Sequence, residues 1–569
     1  MKLFNLTYNE VVKQFKKTSI KIIIPIILLS AIVLPLGISK INVDSNIKNA
    51  MESNLFLLED VNNSIESLNK DKNQKAQIEK AYLQAEKEYR QLFVDYKIGF
   101  DDWKQKEAEE FRYIAYNLVA IELVLNGYRQ DVVLESLQGV NPDEVIKYYE
   151  MTLENKKEVE IKFIAEKEKL KDIIINNDYM GHTALEIERK EKYIEGNKKI
   201  IYEYEKLKAK NPNDEEGKEK LEELKKENNL AIKEIAALEQ DLQVLRFRYD
   251  KKVDYDKNNW KNNSIKSIEK NLEEFRRTMQ TEKEFSSMAN QQRIEITYDE
   301  YVKNYETQND KCIEEIKELW YGLENEIPPL NSIRDARSVI DGTYEFYVIF
   351  AVIIAIIIGG GIVANEFSKG TIRLLLIRPV SRWKVLLSKL LSVLIISFGI
   401  VILGTTILVI SSGYVYGFET LKTPILETIN GTITKIDYIQ YMMPKLMISV
   451  SSLIFITSLV FMISTVARNT ALAVAISMVL YLGAAPLTQV LINMKQVWLL
   501  KTLIPYINGS FFKIMPFFTE QLSKEYGIQM QYTLGAKQLL LASILMIIVT
   551  FITFTKKILK IRYYKSLYL

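Results

Sequence analysis

One strongly charged segment, Glu366 to Lys389, stands between two apolar runs of the chain. It contains a single acid, Glu366, and six cations, which are Lys369, Arg373, Arg378, Arg382, Lys384 and Lys389. Side chains of these types can form ion pairs, and a short basic loop between two membrane spans stays on the cytoplasmic side. The segment therefore predicts the orientation of the remaining chain, and holding that orientation is the simplest role of its arginines.

The composition argues against several classes of function. The 569 residues carry 75 Lys and Arg against 72 Asp and Glu, a net charge of +3, so nucleic acid is not an expected partner. His182 and Cys312 are the single residues of their types, which disfavours a zinc site, a thiol–imidazole pair and an intrachain disulfide. No G-x-x-x-x-G-K-S/T phosphate loop is present. We therefore expect no enzyme active site and no cofactor bound by this chain.

Apolar runs of span length define the fold class, an all-α membrane protein with six transmembrane helices. The first two spans are predicted at 20–39 and 344–365, and four more lie within 385–569, at about 385–410, 446–466, 471–492 and 538–555. Three glycines at 359–361 lie inside the second span, where small residues let helices pack closely. The interiors of these spans carry almost no ionisable residue, which disfavours an ion gradient as the energy source.

The basic segments give the topology. Residues 1–19 read as a cytoplasmic amphipathic segment or as a basic flank of the first span. We interpret 20–39 as an uncleaved anchor, because it is long for a signal peptide and no small-x-small site follows it. The connector at 366–384 and the basic tail place both termini in the cytoplasm, so residues 40–343 are expected outside. Short external helices are expected at 493–536, which is too broken a stretch to span.

The segment 40–343 has the composition of long helices, rich in Glu, Lys, Ile and Leu with little Gly or Pro. It contains an unbroken heptad of Leu221, Leu224, Asn228, Ala231, Ile235, Leu238, Leu242, Leu245 and Tyr249. We predict a coiled-coil hairpin with its turn near Pro212. Such a domain could capture substrate, bind a partner or dock a second copy, and the residues do not choose among these. His182 is expected to be exposed and incidental.

The connector also carries a family resemblance. Glu366, the pair Gly370-Thr371, the Pro379-x-Ser-Arg382 motif and Lys389 resemble the connector between the second and third spans of ABC-2 type transporter permeases. The amphipathic start, including Glu10, and the broken segment before the last span are similar to that family as well. The resemblance covers the first 40 residues and the chain from about Tyr344 onwards. It does not cover the helical domain between them.

The resemblance implies a mechanism. The connector would couple the spans to a separate ABC ATPase subunit, which would bind ATP and Mg, and a second permease chain would complete a homodimer or heterodimer. The residues that match the family's coupling element, or lie within it, are Glu366, Gly370, Thr371, Arg373, Arg378, Pro379 and Arg382.

Two functions remain open at this point. The first is the permease subunit of an ATP-driven exporter in the bacterial plasma membrane, moving a peptide, a lipid or another amphipathic envelope substrate. The second is a non-transporting membrane scaffold or surface receptor with a helical ectodomain. The connector discriminates between them, because coupling requires a particular sequence there and a scaffold does not.

Overall fold

The computed structural model describes residues 2–40, 45–69, 71, 73–100, 102–210, 215–292, 296–330, 332–371, 380–429, 431–494, 496–509 and 531–567. The contacts divide the chain into two units. One unit contains residues 1–40 and 277–569, and the other contains residues 41–276.

The first unit contains the apolar helices. Six helices in the described residues are long and apolar enough to cross a membrane: α2 (Thr18–Lys40), α14 (Ala336–Ser368), α15 (Arg382–Tyr416), α16 (Tyr438–Ala467), α17 (Thr470–Asn493) and α20 (Tyr532–Leu567, with the candidate span ending at Thr555). The prediction of an all-α protein with six such helices is confirmed. Each helix also begins before its predicted span, by a single residue in α17, because helical hydrogen bonding continues past the apolar stretch into the polar flanks.

Polar side chains inside these helices find partners along their own backbone. The hydroxyls of Thr457 and Thr465 in α16 donate to the carbonyl oxygens of Leu453 and Phe461, at 2.7 and 2.8 Å. This local bonding suits a lipid environment, where an unsatisfied polar group is costly.

Helix α14 lies at the centre of the unit and packs through its glycines. A Cβ on Gly359 would lie 2.8 Å from Cγ1 of Val460, and one on Gly360 would lie 2.5 Å from Cγ2 of Val474. The Ser464 hydroxyl donates to the Gly360 carbonyl oxygen at 2.7 Å. The prediction that these glycines allow close helix packing is confirmed, since α16 and α17 approach where a side chain would not fit.

The unit has further short elements: α1 (Lys2–Phe15), α12 (Glu282–Gln292), α13 (Tyr298–Glu324), a 3₁₀ turn (Phe418–Lys422), a hairpin of β1 (Ile425–Ile429) and β2 (Thr432–Ile436), α18 (Val497–Leu500) and α19 (Ile504–Ile507). The strands pair antiparallel, with Ile425 opposite Ile436. The short helices α18 and α19 fall within the predicted stretch 493–536. Its remainder at 510–530 lies outside the described residues.

A buried arginine fixes the backbone where α14 begins. The Arg337 guanidinium is fully buried and lies 2.6 Å from an Asp335 carboxylate oxygen. It also donates to the carbonyl oxygens of Thr423, Pro424 and Pro328, at 3.2, 3.2 and 2.9 Å. A buried charge that is paired and fully hydrogen bonded is tolerated, so this side chain holds the loop before β1 against the start of α14.

The second unit consists of α3 (Ser45–Leu68), α4 (Gln74–Asp95), α5 (Trp103–Leu125), α6 (Gln130–Glu135), α7 (Pro142–Glu150), α8 (Leu153–Ile175), α9 (Tyr179–Lys210), α10 (Glu215–Asp250) and α11 (Trp260–Arg276). Its apolar core lies mainly on α4, α5, α7 and α8 and includes Tyr82, Phe111 and Ile121. The sequence predicts one helical pair from about Met51 to Leu137, whereas α3, α4, α5 and α6 cover that stretch.

Helices α9 and α10 pack side by side and run antiparallel. Lys190 pairs with Asp241 at 2.7 Å, whereas Asn197, further along α9, bonds Glu234, earlier on α10. The heptad positions from Leu221 to Leu245 are buried or half-buried, but Tyr249 is exposed. Residues 211–214, where the turn near Pro212 is predicted, lie outside the described residues.

The histidine departs from expectation. His182 is buried, and its Nδ1 lies 2.6 Å from Oε1 of Glu107, which Arg189 also binds at 3.0 Å. Its ring packs 4.8 Å from the ring of Trp103. The prediction of an exposed His182 is wrong, because His182 lies within α9 and packs against Glu107 and Trp103 of α5.

Candidate functional site

Three helix ends meet beside the predicted connector. Helix α14 ends at Ser368, helix α15 begins at Arg382, and the amphipathic helix α1 packs against α15. One side of α1 carries the exposed aromatic residues Phe4, Tyr8 and Phe15. The opposite side of α1 faces the other two helices.

Four charged side chains form one cluster between these helices, which we name the connector cluster: Glu10 and Lys13 from α1, Glu366 from α14 and Lys389 from α15. The Lys389 ammonium donates to Oε1 of Glu366 at 2.6 Å and to Oε1 of Glu10 at 3.0 Å. The Lys13 ammonium donates to the same Glu366 oxygen at 3.1 Å. One lysine therefore joins all three helices.

The cluster is largely shielded from solvent. The side chains of Lys389, Glu366 and Glu10 are 4%, 8% and 14% exposed, while Lys13 is 58% exposed. Two carboxylates face two ammonium groups, so the formal charges cancel, as burial requires. Among the described residues, Oε2 of Glu366 and Oε2 of Glu10 accept no hydrogen bond. Removing Lys389 would therefore leave two buried carboxylates without their main partner.

This arrangement is suited to mechanical linkage. The charges are already neutralised by their neighbours, and the described residues contain no group of three or more His, Cys, Asp or Glu that could hold a metal ion. A buried ion pair tolerates little change of distance, because its attraction must offset the desolvation of both groups. Displacing one of the three helix ends would therefore disturb its ion pairs with the other two.

The other predicted coupling residues divide into three groups. Gly370 and Thr371 lie beside the cluster, where Gly370 has φ +70° just after the α14 C-cap and the Thr371 hydroxyl donates to the Glu366 carbonyl oxygen at 3.5 Å. Arg382 begins α15, is half-buried and forms no ion pair with a described residue. Arg373, Arg378 and Pro379 lie outside the described residues.

Sequence reasoning noted Glu10 and Lys389 separately but did not join them. One signal was available, because a lysine two turns inside an apolar helix requires a buried acidic partner. Glu10 and Lys13, three residues apart on α1, could have been recognised as one charged patch. Nothing in a single sequence assigns that patch to a lysine 379 positions away.

The turn between α16 and α17 lies at the same end of the bundle. The Arg468 guanidinium lies 4.3 Å from the centre of the Phe367 ring, and the Thr470 hydroxyl donates to Oδ1 of Asn365 at 3.0 Å. The opposite helix ends meet elsewhere, since Tyr416 donates to the Pro35 carbonyl oxygen at 3.2 Å. Helix α1, the end of α14, the start of α15 and the Arg468 turn thus lie at one end of the helix bundle.

A known protein family matches this chain across most of its length. Residues 10–556 match the family described as ABC-2 family transporter protein. Two Bacillus subtilis (strain 168) proteins are similar over part of the chain. The uncharacterized protein YhcI is 32% identical over 176 residues, which are 30% of this chain and 54% of YhcI. The uncharacterized membrane protein YdbK is 31% identical over 147 residues, 26% of this chain and 54% of YdbK.

The chain spans about half the length of these two relatives. No solved structure matches it.

Proposed function

This chain belongs to the ABC-2 family of transporter proteins, and we propose that it is the permease subunit of an ATP-driven exporter. A separate ABC ATPase would bind ATP and Mg and press on the connector. A second permease chain, identical or different, would complete the transport path, because six spans are few for a whole pore. The substrate class we propose is a peptide, a lipid or another amphipathic envelope molecule.

The connector cluster is the observation that carries this proposal. A loop that only fixes orientation needs no buried partners, since exposed lysines and arginines suffice. Here Glu366 and Lys389, which flank the connector, are bound to each other and to α1 in a shielded site. A force applied to residues 366–384 would therefore reach α14 and α15 together.

We also propose that residues 40–343 lie outside the cell and that both termini lie inside. The grouping of the basic segments at one end of the bundle supports this orientation. The helical segment outside would then capture substrate, bind a partner protein or dock a second copy.

A charge reversal tests the coupling role. The native complex is purified gently, and the ATPase that accompanies the chain is quantified together with its rate of ATP hydrolysis. We expect Glu366→Lys to reduce that association or rate at least tenfold. Glu366→Lys combined with Lys389→Glu, Glu10→Lys and Lys13→Glu should recover most of the loss, because every ion pair of the connector cluster is then restored with its direction reversed. Glu419→Lys, at an exposed acid paired only with Lys422, is the matched control.

Two outcomes would overturn the proposal. The first is purification of the wild-type chain with no ATP-hydrolysing companion, and the second is a Glu366→Lys variant whose ATPase association and efflux equal those of the wild-type chain. Either result would favour the alternative reading of the chain as a non-transporting membrane scaffold or receptor.

A further inference from the structure

A second ion cluster lies at the end of α14 opposite Glu366. The Lys445 ammonium of α16 donates to Oδ1 of Asp341 of α14 at 2.8 Å and to the Tyr441 hydroxyl at 2.6 Å. The same ammonium lies 3.9 Å from the centre of the Tyr441 ring. We name Asp341, Tyr441 and Lys445 the far-end cluster. The Lys445 and Asp341 side chains are 13% and 14% exposed, so this pair is shielded but not sealed.

The two clusters are joined by one uninterrupted helix. Helix α14 runs from Ala336 to Ser368, and its amide hydrogen bonds continue through the glycines. Asp341 and Glu366 are 25 residues apart, about 37 Å at the helical rise. At one end α14 is tied to α1 and α15, and at the other end its ion pair is with α16.

Helix α14 approaches two neighbouring helices, α16 and α17, closely at its glycines. At Gly359 and Gly360 the side chains of Val460 and Val474 occupy the space that a Cβ would need. The Ser464 hydroxyl of α16 also donates to the Gly360 carbonyl oxygen at 2.7 Å, so α14 is least able to shift sideways at this point and a displacement of one end would turn the helix about it. This contact lies six residues from Glu366 and eighteen from Asp341, or about 9 Å and about 27 Å along the helix.

From this geometry we infer that α14 is a lever that pivots at Gly359–Gly360 and releases the Asp341–Lys445 ion pair when its Glu366 end is displaced. The arms differ about threefold in length, so a displacement of about 1 Å at Glu366 moves Asp341 by about 3 Å. That movement is sufficient to separate an ion pair of 2.8 Å. Lys445 is thereby assigned as a gating residue at the end of the path away from the ATPase. This inference rests on the proposed function, because the ATPase supplies the displacement.

A distance measurement on the purified complex tests the lever. Cys312 is the single cysteine and is buried, so a Cys312→Ser background allows two spin labels to be placed cleanly. Gly342→Cys on α14 and Met443→Cys on α16 are suitable positions, because both residues are exposed beside the far-end cluster. We expect the label distance to increase by about 3 Å when the complex is trapped with ATP.

Two variants test whether the Asp341–Lys445 ion pair controls the distance between α14 and α16 or only stabilises the fold. Lys445→Met should give the longer distance without nucleotide, and Asp341→Lys combined with Lys445→Asp should restore the shorter one. A fixed distance in a complex that contains an ATPase and exports substrate would overturn the lever while leaving the proposed function intact. A chain purified without an ATPase would instead overturn the proposed function. If the label distance in Lys445→Met without nucleotide equals that of the wild-type chain, the ion pair does not hold α14 and α16 together and the inference is overturned.

Discussion

The connector cluster and the far-end cluster both hold α14 by lysine–carboxylate pairs, but they differ in burial and in the number of helices joined. Lys389 is 4% exposed and binds two carboxylates from two helices. Lys445 is 13% exposed and binds one carboxylate and one tyrosine. The penalty for separating a buried pair rises with desolvation. The connector end is thus built to stay together and the far end to part more easily.

The two ends of α14 also differ in the other residues that support them. At the connector end the amphipathic helix α1 contributes two of the four charges. At the far end the nearest supports are the buried Arg337, bonded to three backbone carbonyls, and the Tyr438 hydroxyl, which donates to the Arg337 carbonyl oxygen at 3.1 Å. These bonds hold backbone in place and would survive the loss of the Lys445 pair.

The largest effect is expected from Lys389→Met. The change leaves Glu366 and Glu10 buried without their main cation, which costs about 3–5 kcal/mol of unfolding free energy. The unfolding midpoint in detergent measures it, with Lys384→Met as the control, since Lys384 lies over the Trp383 ring and is not part of the cluster. Adding Glu366→Gln and Glu10→Gln should recover part of the loss. Equal midpoints for the two methionine variants would contradict the role of the cluster.

A smaller loss is expected from Lys445→Met, about 2 kcal/mol, because Asp341 retains some access to water. The same unfolding measurement applies. The comparison between the clusters fails if this variant is as destabilised as Lys389→Met.

The pivot can be tested by adding one methyl group. Gly360→Ala places a Cβ 2.5 Å from the Val474 side chain, and overpacking of this kind costs about 1–3 kcal/mol. The double change with Val474→Ala should restore the midpoint, whereas Gly342→Ala, where nothing lies within 4 Å, should leave it unchanged. If the pivot lies elsewhere on α14, Gly360→Ala should not change the transport rate when it is compared with the wild-type chain under conditions where both are equally folded.

The smallest expected effect is a pH dependence of the stability of the β1–β2 hairpin. Burial raises the pKa of Glu318, which accepts the Thr428 amide, and burial also raises the pKa of Glu427. A carboxyl whose pKa is higher in the folded state than in the unfolded state stabilises the fold when the pH is below its unfolded-state pKa. This contribution is lost as the pH rises through the folded-state pKa. Hydrogen exchange at the hairpin amides, corrected for intrinsic rates, should therefore show more protection near pH 4.5 than near pH 7.

Glu318→Gln keeps an acceptor for the Thr428 amide and removes the proton equilibrium. It should flatten the pH dependence of that protection. Protection that instead increases with pH in the wild-type chain would show the assigned sign to be wrong.

The positions of the six spans followed from the sequence, and their ends did not. Helix α16 begins at Tyr438, eight residues before the predicted apolar stretch, and ends at Ala467, just before Arg468, which has φ +55°. A hydropathy pattern marks where lipid contact is favourable, whereas helix ends depend on caps and on neighbouring chain. For the same reason Asp341 falls within the predicted external segment 40–343, although it lies within α14.

Part of the site was predictable. Glu366 was recognised because a lone acid among cations, followed by Gly370-Thr371, is distinctive. The heptad of α10 predicted the buried positions on that helix from Leu221 to Leu245, but not that Arg248 would be buried beside Tyr255. A charged residue enters a core only when partners are present there, and partners on other helices are not visible in a local pattern.

The sequence by itself determined that the chain has six stretches long and apolar enough to cross a membrane, where its basic segments fall, and which family it resembles. These properties depend on local composition, because transfer into lipid acts on each stretch of about twenty residues separately. Only the tertiary structure decided that Glu10, Glu366 and Lys389 meet, and that Asp341 and Lys445 pair at the other end of the same helix. The energy of a buried charge depends on which groups lie within a few ångströms, and that distance is fixed by how the helices pack.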